Sequence, residues 1–192
     1  IPSSRSTTAP WSDGADVRVT ATGPDGAAIP AATGHIEAYT RGVLTSMPVA
    51  STMEAVRVTA RVTTGRESLE NAADIRRAAT GLVGEAVLYR GRPAASSPLR
   101  PVADMDFLRT ERVHVEWPLS GDIDQRSARL FGRTGQPLAV PITVTERESD
   151  GRRVVAADLN LAPLSGGQYI IELTVGQGAT TARRFVAFRV VQ

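Results

Sequence analysis

The chain has 192 residues, of which 42% are apolar, with no cysteine and a net charge of +2. This length fits one large domain or two small ones, and the composition excludes global disorder, disulfides and cysteine-based zinc sites. No apolar run is long enough to span a membrane. The chain begins at Ile1, which we interpret as the start of a processed product or an excised fragment, compatible with a removed export signal.

The first residues are predicted to form an extended arm. Residues 1–14 are polar, and Trp11 is their only large apolar side chain. Burying one such side chain returns roughly 3 kcal/mol, whereas ordering each residue costs roughly 1–2 kcal/mol. We therefore expect the arm to bind another protein chain, with Ile1, Pro10 and Trp11 as its contacts.

Residues 15–92 are predicted to form a first β-rich module. Residues 55–65 (AVRVTARVTTG) alternate apolar and polar side chains, which is typical of a half-buried antiparallel strand. A similar alternation at 16–22 ends in a GPDG turn, and the weaker strand candidates are residues 35–40 and 84–90.

Two segments interrupt this pattern. Residues 68–79 (SLENAADIRRAA) fit a short helix with Ser68 as its N-cap and an irregular strand equally well. Residues 93–104 contain three prolines, and proline removes a ladder donor and favours extended coil. This composition predicts a linker at 93–104, with the domain boundary inside residues 91–104.

Residues 105–192 are predicted to form an immunoglobulin-like β-sandwich of about seven short strands with regular turn signals. Asp150 and Gly151 occupy the turn of a predicted hairpin. Tyr169 follows a Pro/Gly turn, and we expect its hydroxyl to fold back onto the backbone. Period-two placement predicts a core formed by Val113, Val115, Trp117, Leu130, Tyr169, Ile171 and Leu173.

Three pieces of this second half carry a family resemblance: SPLRPVADMDFLRTERVHVEWPL, ARLFGRTGQPLAVPITVTER and DGRRVVAADLNLAPLSGGQYIIEL. From about Pro98 onward the chain resembles the C-terminal β-rich region of bacterial von Willebrand factor A-related proteins. The resemblance implies an exported, β-rich interaction module. The metal motif DxSxS of the A domain is absent from the sequence, so the resemblance transfers no site residue.

The candidate catalytic and metal-binding residues are few. His114 lies on the polar face of a predicted strand and His35 lies near a turn, so both are expected at the surface. The acidic pairs Asp104/Asp106 and Asp122/Asp124 do not continue into a calcium loop, which needs six to eight oxygen ligands. We therefore predict no catalytic residue, no metal site and no cofactor, and assign these carboxylates to turns and strand edges.

Partner classes follow from charge and aromatic content. All basic residues are Arg and are interleaved with acidic residues, and only 5% of residues are aromatic, so no nucleic-acid partner is expected. The sequence thus predicts an all-β protein of two tandem immunoglobulin-like or Greek-key sandwiches with an extended N-terminal arm. We expect it to be non-enzymatic.

The expected role is protein–protein interaction or scaffolding outside the cytoplasm, in a periplasmic or extracellular location. One form of this role is an extrinsic structural subunit that holds together a membrane-embedded photosynthetic or respiratory complex. The alternative is a carbohydrate-binding or adhesin-type accessory module of an exported protein, which needs exposed aromatic side chains.

Overall fold

A computed structural model describes residues 12–40, 42–50, 52–65, 67–76, 81–94, 96–102 and 104–191, and it is all-β. The described part of the chain contains no helix, and hence no helix with the length and apolarity of a membrane span. The chain divides into two compact units, residues 1–78 and residues 79–192.

The first unit contains one antiparallel sheet among its described residues, where we predicted a two-sheet sandwich. The strands stand in the order β2-β1-β3-β4, with bounds β1 Ala15–Thr22, β2 Ala28–Ile36, β3 Ala55–Thr64 and β4 Glu67–Arg76. The GPDG sequence forms the turn between β1 and β2, where Gly26 has a φ of 79° and donates its N–H to Gly23.

Strand β4 resolves the open alternative at residues 68–79, because residues 67–76 are strand. It pairs with β3 along its whole length, but every one of its residues is exposed. The core of this unit is correspondingly small. Ala15, Val17 and Ile36 are buried together, with Val43 and Val62 packed against them.

The second unit is built from two five-stranded sheets. The strands are β5 Val87–Gly91, β6 Arg100–Pro101, β7 Asp106–Leu108, β8 Arg112–Pro118, β9 Gln125–Phe131, β10 Pro137–Leu138, β11 Thr143–Ser149, β12 Arg152–Asn160, β13 Gly167–Gln177 and β14 Thr180–Val191. We name the sheet ordered β11-β12-β8-β5-β6 the β8 sheet, and the sheet ordered β10-β9-β13-β14-β7 the β13 sheet.

The two sheets share one hydrophobic core. Trp117 and Val115 from the β8 sheet and Leu173 and Phe188 from the β13 sheet belong to a single buried cluster. The predicted core is confirmed, since all seven predicted residues are buried. Period two placed these residues correctly because one face of each strand turns toward the other sheet.

The predicted linker at 93–104 is wrong. Strand β6 lies within this segment and pairs with β5, and β5 in turn pairs with β8. The segment therefore lies inside the second unit. The division falls at residue 78 instead. The prolines are tolerated because Pro93 and Pro98 lie in the β5–β6 connection and Pro101 lies on an edge strand, where a missing N–H costs no ladder bond.

Two local predictions of the second unit are confirmed. Asp150 and Gly151 form the β11–β12 turn with φ values of 49° and 70°, as a tight hairpin with positive φ at both positions requires. The Tyr169 hydroxyl donates to the carbonyl of Ser165 at 2.8 Å. This bond ties the start of β13 to the turn before it.

Candidate functional site

The outward face of the β13 sheet carries the main candidate site. Cross-strand register places Phe131, Ile170 and Ala187 in one row across β9, β13 and β14. The adjacent row contains Arg129, Glu172 and Phe185. Since side chains alternate along a strand, these six residues share the face that points away from the core.

These residues, except Arg129, form the floor of an open groove of about 740 Å³, which Met105, Gln168 and Arg133 also line. Phe185 is 62% exposed and Ile170 is 40% exposed, although phenylalanine and isoleucine are normally buried. Contiguous apolar surface of this kind marks interaction sites on soluble domains. The groove can therefore bind a partner that covers apolar side chains.

The groove is lined by two arginines and two carboxylates, Arg133 and Arg189 with Asp106 and Glu172, and Arg129 and Arg183 lie on the same face of the sheet. Arg129, Arg133 and Arg183 are exposed, and the described carboxylates form no ion pair with them. Arg189, in contrast, donates to both carboxylate oxygens of Asp106, and this pairing raises the pKa of the Arg189 guanidinium above its ordinary value.

The opposite sheet carries a buried polar network that the sequence did not predict. His114 was expected at the surface and is instead 1% exposed. Its Nδ1 lies 2.9 Å from Oδ1 of Asp158 on β12, and its Nε2 lies 2.8 Å from a guanidinium nitrogen of Arg147 on β11. Nε2 also lies 3.2 Å from Oε1 of Glu116, and carboxylate oxygens only accept, so each ring nitrogen of His114 faces an acidic acceptor.

Glu116 is the second buried member of this network. One carboxylate oxygen accepts from Arg147 and the other accepts from the Ser149 hydroxyl at 2.9 Å. Burial raises the pKa of Glu116, but the hydrogen bonds from Arg147, His114 and Ser149 outweigh burial, and the pKa lies below its ordinary value.

The pKa values of two further groups of this network, Asp158 and Tyr89, are also shifted. Burial raises the pKa of Asp158, but the hydrogen bond from His114 and the nearby cationic side chains lower it by more. The pKa of Asp158 therefore lies below its ordinary value. Burial and the charge of Glu116 raise the pKa of the Tyr89 phenol to about 12. Its ring lies 5.8 Å from the His114 ring.

The chemistry available to this network is limited by its own hydrogen bonds. Both ring nitrogens of His114 are engaged by charged side chains, and the Ser149 hydroxyl donates to Glu116 rather than to His114. A general base needs a free nitrogen within reach of a reacting proton. The arrangement instead fastens the β11–β12 hairpin to β8.

The remaining predicted sites have ordinary partners. His35 is half-exposed and bonds Asp16 at 2.8 Å. Asp104 accepts from Arg90, and Asp124 accepts from the N–H of Gly178.

Asp122 pairs with Arg153, so the members of each acidic pair point to different partners. Among the described residues, no three histidine or acidic side chains are grouped to hold a metal. Ile1, Pro10 and Trp11 lie outside the described residues, and their role stays a prediction.

No protein-family model matches the chain, and no curated protein matches it at a significant level. The resemblance to von Willebrand factor A-related proteins therefore stays a prediction as well.

Proposed function

We propose that this protein is a non-enzymatic protein-binding module that uses the groove on the outward face of the β13 sheet. The observation that carries the proposal is the exposure of Phe185 and Ile170 on one outward face of a sheet whose other face is buried in the core. Leaving two such side chains in water forgoes burial worth roughly 25 cal/mol per Å², and a partner that covers them recovers it.

The shape of the groove favours a protein over a small molecule. The groove is open and extends over two cross-strand rows of side chains on the face of a sheet. Small-molecule sites, in contrast, enclose most of their ligand. An apolar centre with charged side chains at its margin is also the usual composition of a protein interface. Arg133 and the paired Asp106 and Arg189, which also line the groove, supply such a margin.

We infer further that the second unit is immunoglobulin-like and that the protein works outside the cytoplasm as a scaffold or extrinsic subunit of a larger assembly. The shared core of two sheets and the Tyr169 bond to Ser165 support the fold. The exported setting rests on the resemblance of residues from Pro98 onward.

The test is site-specific photo-crosslinking in extracts of the organism that produces the protein. A photoreactive residue replaces Ala187 in the groove, and a control replaces Arg152, which is exposed on the other sheet. The crosslinked protein is identified, purified and titrated against the protein by calorimetry. We expect Phe185→Ala to weaken that binding at least tenfold and Arg152→Ala to leave it unchanged.

Two results would overturn the proposal. One is a purified partner that binds the Phe185→Ala variant and the unaltered protein with the same affinity. The other is a glycan array in which the protein binds a polysaccharide through Phe185 and the photo-crosslinker at position 187 captures no protein. The second result would favour the carbohydrate-binding alternative.

A further inference from the structure

Strand β14 has an open edge beside the groove. On one side β14 pairs with β13 from Thr180 to Val190. On the other side it pairs with β7 only over Arg189–Val191. Among the described residues, no strand pairs with β14 between Thr180 and Phe188 on this side.

The direction of the unpaired backbone groups follows from one hydrogen bond. The N–H of Arg189 donates to the carbonyl of Met105 at 2.8 Å, away from β13. Backbone groups alternate sides along a strand and the β13–β14 register has no shift, so Phe185 and Arg183 also direct their N–H and C=O to this edge. An unpaired edge of this kind is a template for an added strand.

The side chains next to the edge define what an added strand must carry. Phe185 and Ala187 lie on the groove face of β14, and Arg183 lies two residues from Phe185 on the same face. Arg184 is on the opposite face, where its guanidinium donates to the Val83 carbonyl at 2.9 Å. Arg183 is therefore the cation on the groove face of β14 beside the unpaired part of the edge, whereas Arg189 lies where β14 pairs with β7.

Charge selects between possible occupants. Arg183, Arg129 and Arg133 lie on or beside the groove face without an ion pair to a described carboxylate. Of the two carboxylates that line the groove, Asp106 is already paired with Arg189, and Glu172 leaves the arginines in excess. A second copy that pairs through its own β14 would present Arg183 and Phe185 again, and that strand contains no acidic residue. An acidic segment supplies the missing charge and is favoured for recognition at this edge.

We propose that an extended acidic segment of a partner protein adds to the β13 sheet along the open edge of β14. On the groove side it places an acidic residue beside Arg183 and apolar residues beside Phe185 and Ala187, at every second position. Backbone hydrogen bonds to Arg183 and Phe185 hold the strand, and the side chains set its sequence preference. This inference rests on the proposed function and names the chemistry of its partner.

The test uses a fluorescent nine-residue peptide with the sequence ETVTFTVTE. One face carries only Glu, Val and Phe, the other carries Thr, and the sequence reads the same in both strand directions. Anisotropy titrations compare this peptide with a version in which Lys replaces Glu. Two further versions are N-methylated at alternate peptide nitrogens, one on each backbone edge.

We expect the acidic peptide to bind and the Lys version to bind at least tenfold more weakly. N-methylation of one edge should abolish binding, and N-methylation of the other should not. The variants Phe185→Ala and Arg183→Glu should each weaken binding at least tenfold, whereas the control Arg152→Glu should not. Far-UV circular dichroism of each variant verifies that the fold is kept.

Equal binding of the acidic and Lys peptides, or of the two N-methylated peptides, would overturn the inference. So would absence of binding by any peptide, or self-association of the protein that depends on Phe185. The proposed function fails separately, through the crosslinking experiment. A crosslinked partner that needs Phe185 but not Arg183 or the β14 edge would sustain the function and refute the added strand.

Discussion

The two units bury very different amounts of apolar surface for sheets of similar strand length. In the described part of the first unit, five apolar residues are buried and none is larger than isoleucine. In the second unit, Trp117, Phe107 and Phe188 are buried with a large aliphatic set. Buried apolar area contributes to stability, so the second unit has much more to stabilise it than the described part of the first.

The difference shows what a second sheet contributes. The first unit lays out its strands with the same period-two alternation as the second, but strand β4 remains exposed on both faces. A sheet depends on a buried hydrophobic face for independent stability, and the described strands of the first unit bury few apolar side chains. The comparison predicts that single substitutions cost far more in the second unit than in the first.

The largest effect is expected from Trp117→Ala in the second unit. The side chain is fully buried between the two sheets, and large-to-small aromatic core changes cost roughly 3–5 kcal/mol. Differential scanning calorimetry should show the second unit's transition shifted to a much lower temperature. An unchanged melting temperature would mean that the core does not depend on this residue.

A matched pair of leucines tests the comparison directly. Leu173 is fully buried in the second unit, and Leu69 is 65% exposed on β4 of the first. Leu173→Ala should cost roughly 2–5 kcal/mol, whereas Leu69→Ala should change stability by less than about 0.5 kcal/mol. Urea unfolding of the two variants gives both values, and similar costs would contradict the contrast.

The polar network should make the second unit sensitive to acid. Glu116 and Asp158 have pKa values below their ordinary 4.5 and 3.8. Their stabilisation is therefore complete above about pH 4.5 and is lost as the pH falls through the lowered folded-state values. The melting temperature of the unaltered protein, measured from pH 7 to pH 2, should fall mainly below about pH 4.5, in what we call the acid limb of the curve.

Glu116→Gln should remove part of that acid limb. We expect a loss of about 1–3 kcal/mol at pH 7, because the Ser149 hydroxyl and Arg147 lose a charged acceptor, although Arg147 is partly exposed and can turn to water. The control is Glu148→Gln on the same hairpin, an exposed carboxylate. Identical acid limbs for Glu116→Gln and the unaltered protein would contradict a role for this carboxylate.

A smaller effect than those of the core changes is expected from Tyr169→Phe. The change removes only the hydroxyl bond to the Ser165 carbonyl, and such a bond contributes about 0.5–1.5 kcal/mol. Tyr39→Phe is the control, because Tyr39 is 79% exposed. Urea unfolding should separate the two variants by about that amount, and no difference would show that the bond adds nothing to stability.

Sequence reasoning succeeded where neighbours in the chain determine the structure. The alternation in β8 identified Val113, Val115 and Trp117 as core, and Asp150 with Gly151 identified a tight turn. These features depend on side-chain period and on local φ angles. The Tyr169 bond spans only four residues and was accessible for the same reason.

Sequence reasoning failed where strands far apart in the chain meet. The sequence predicted His114 at the surface. The strand register places Asp158 directly opposite His114, and Arg147 on the next strand contacts the ring. The groove requires Phe131, Ile170 and Ala187 to fall in one row, which no short window reveals. The prolines of 93–104 suggested a linker because the sequence does not show which strands pair. Only the pairing reveals that Pro101 lies on an edge strand, where proline is tolerated.

The contact between β7 and β14 bears on how the second unit folds. Asp106 and Arg189 bond across a sequence separation of 83 residues, whereas β3 and β4 of the first unit pair as consecutive strands of the chain. Loop-closure entropy opposes such distant pairing until many contacts form together. The second unit is therefore the slower to assemble, and it exposes its apolar strands longest before closure, when aggregation competes with folding.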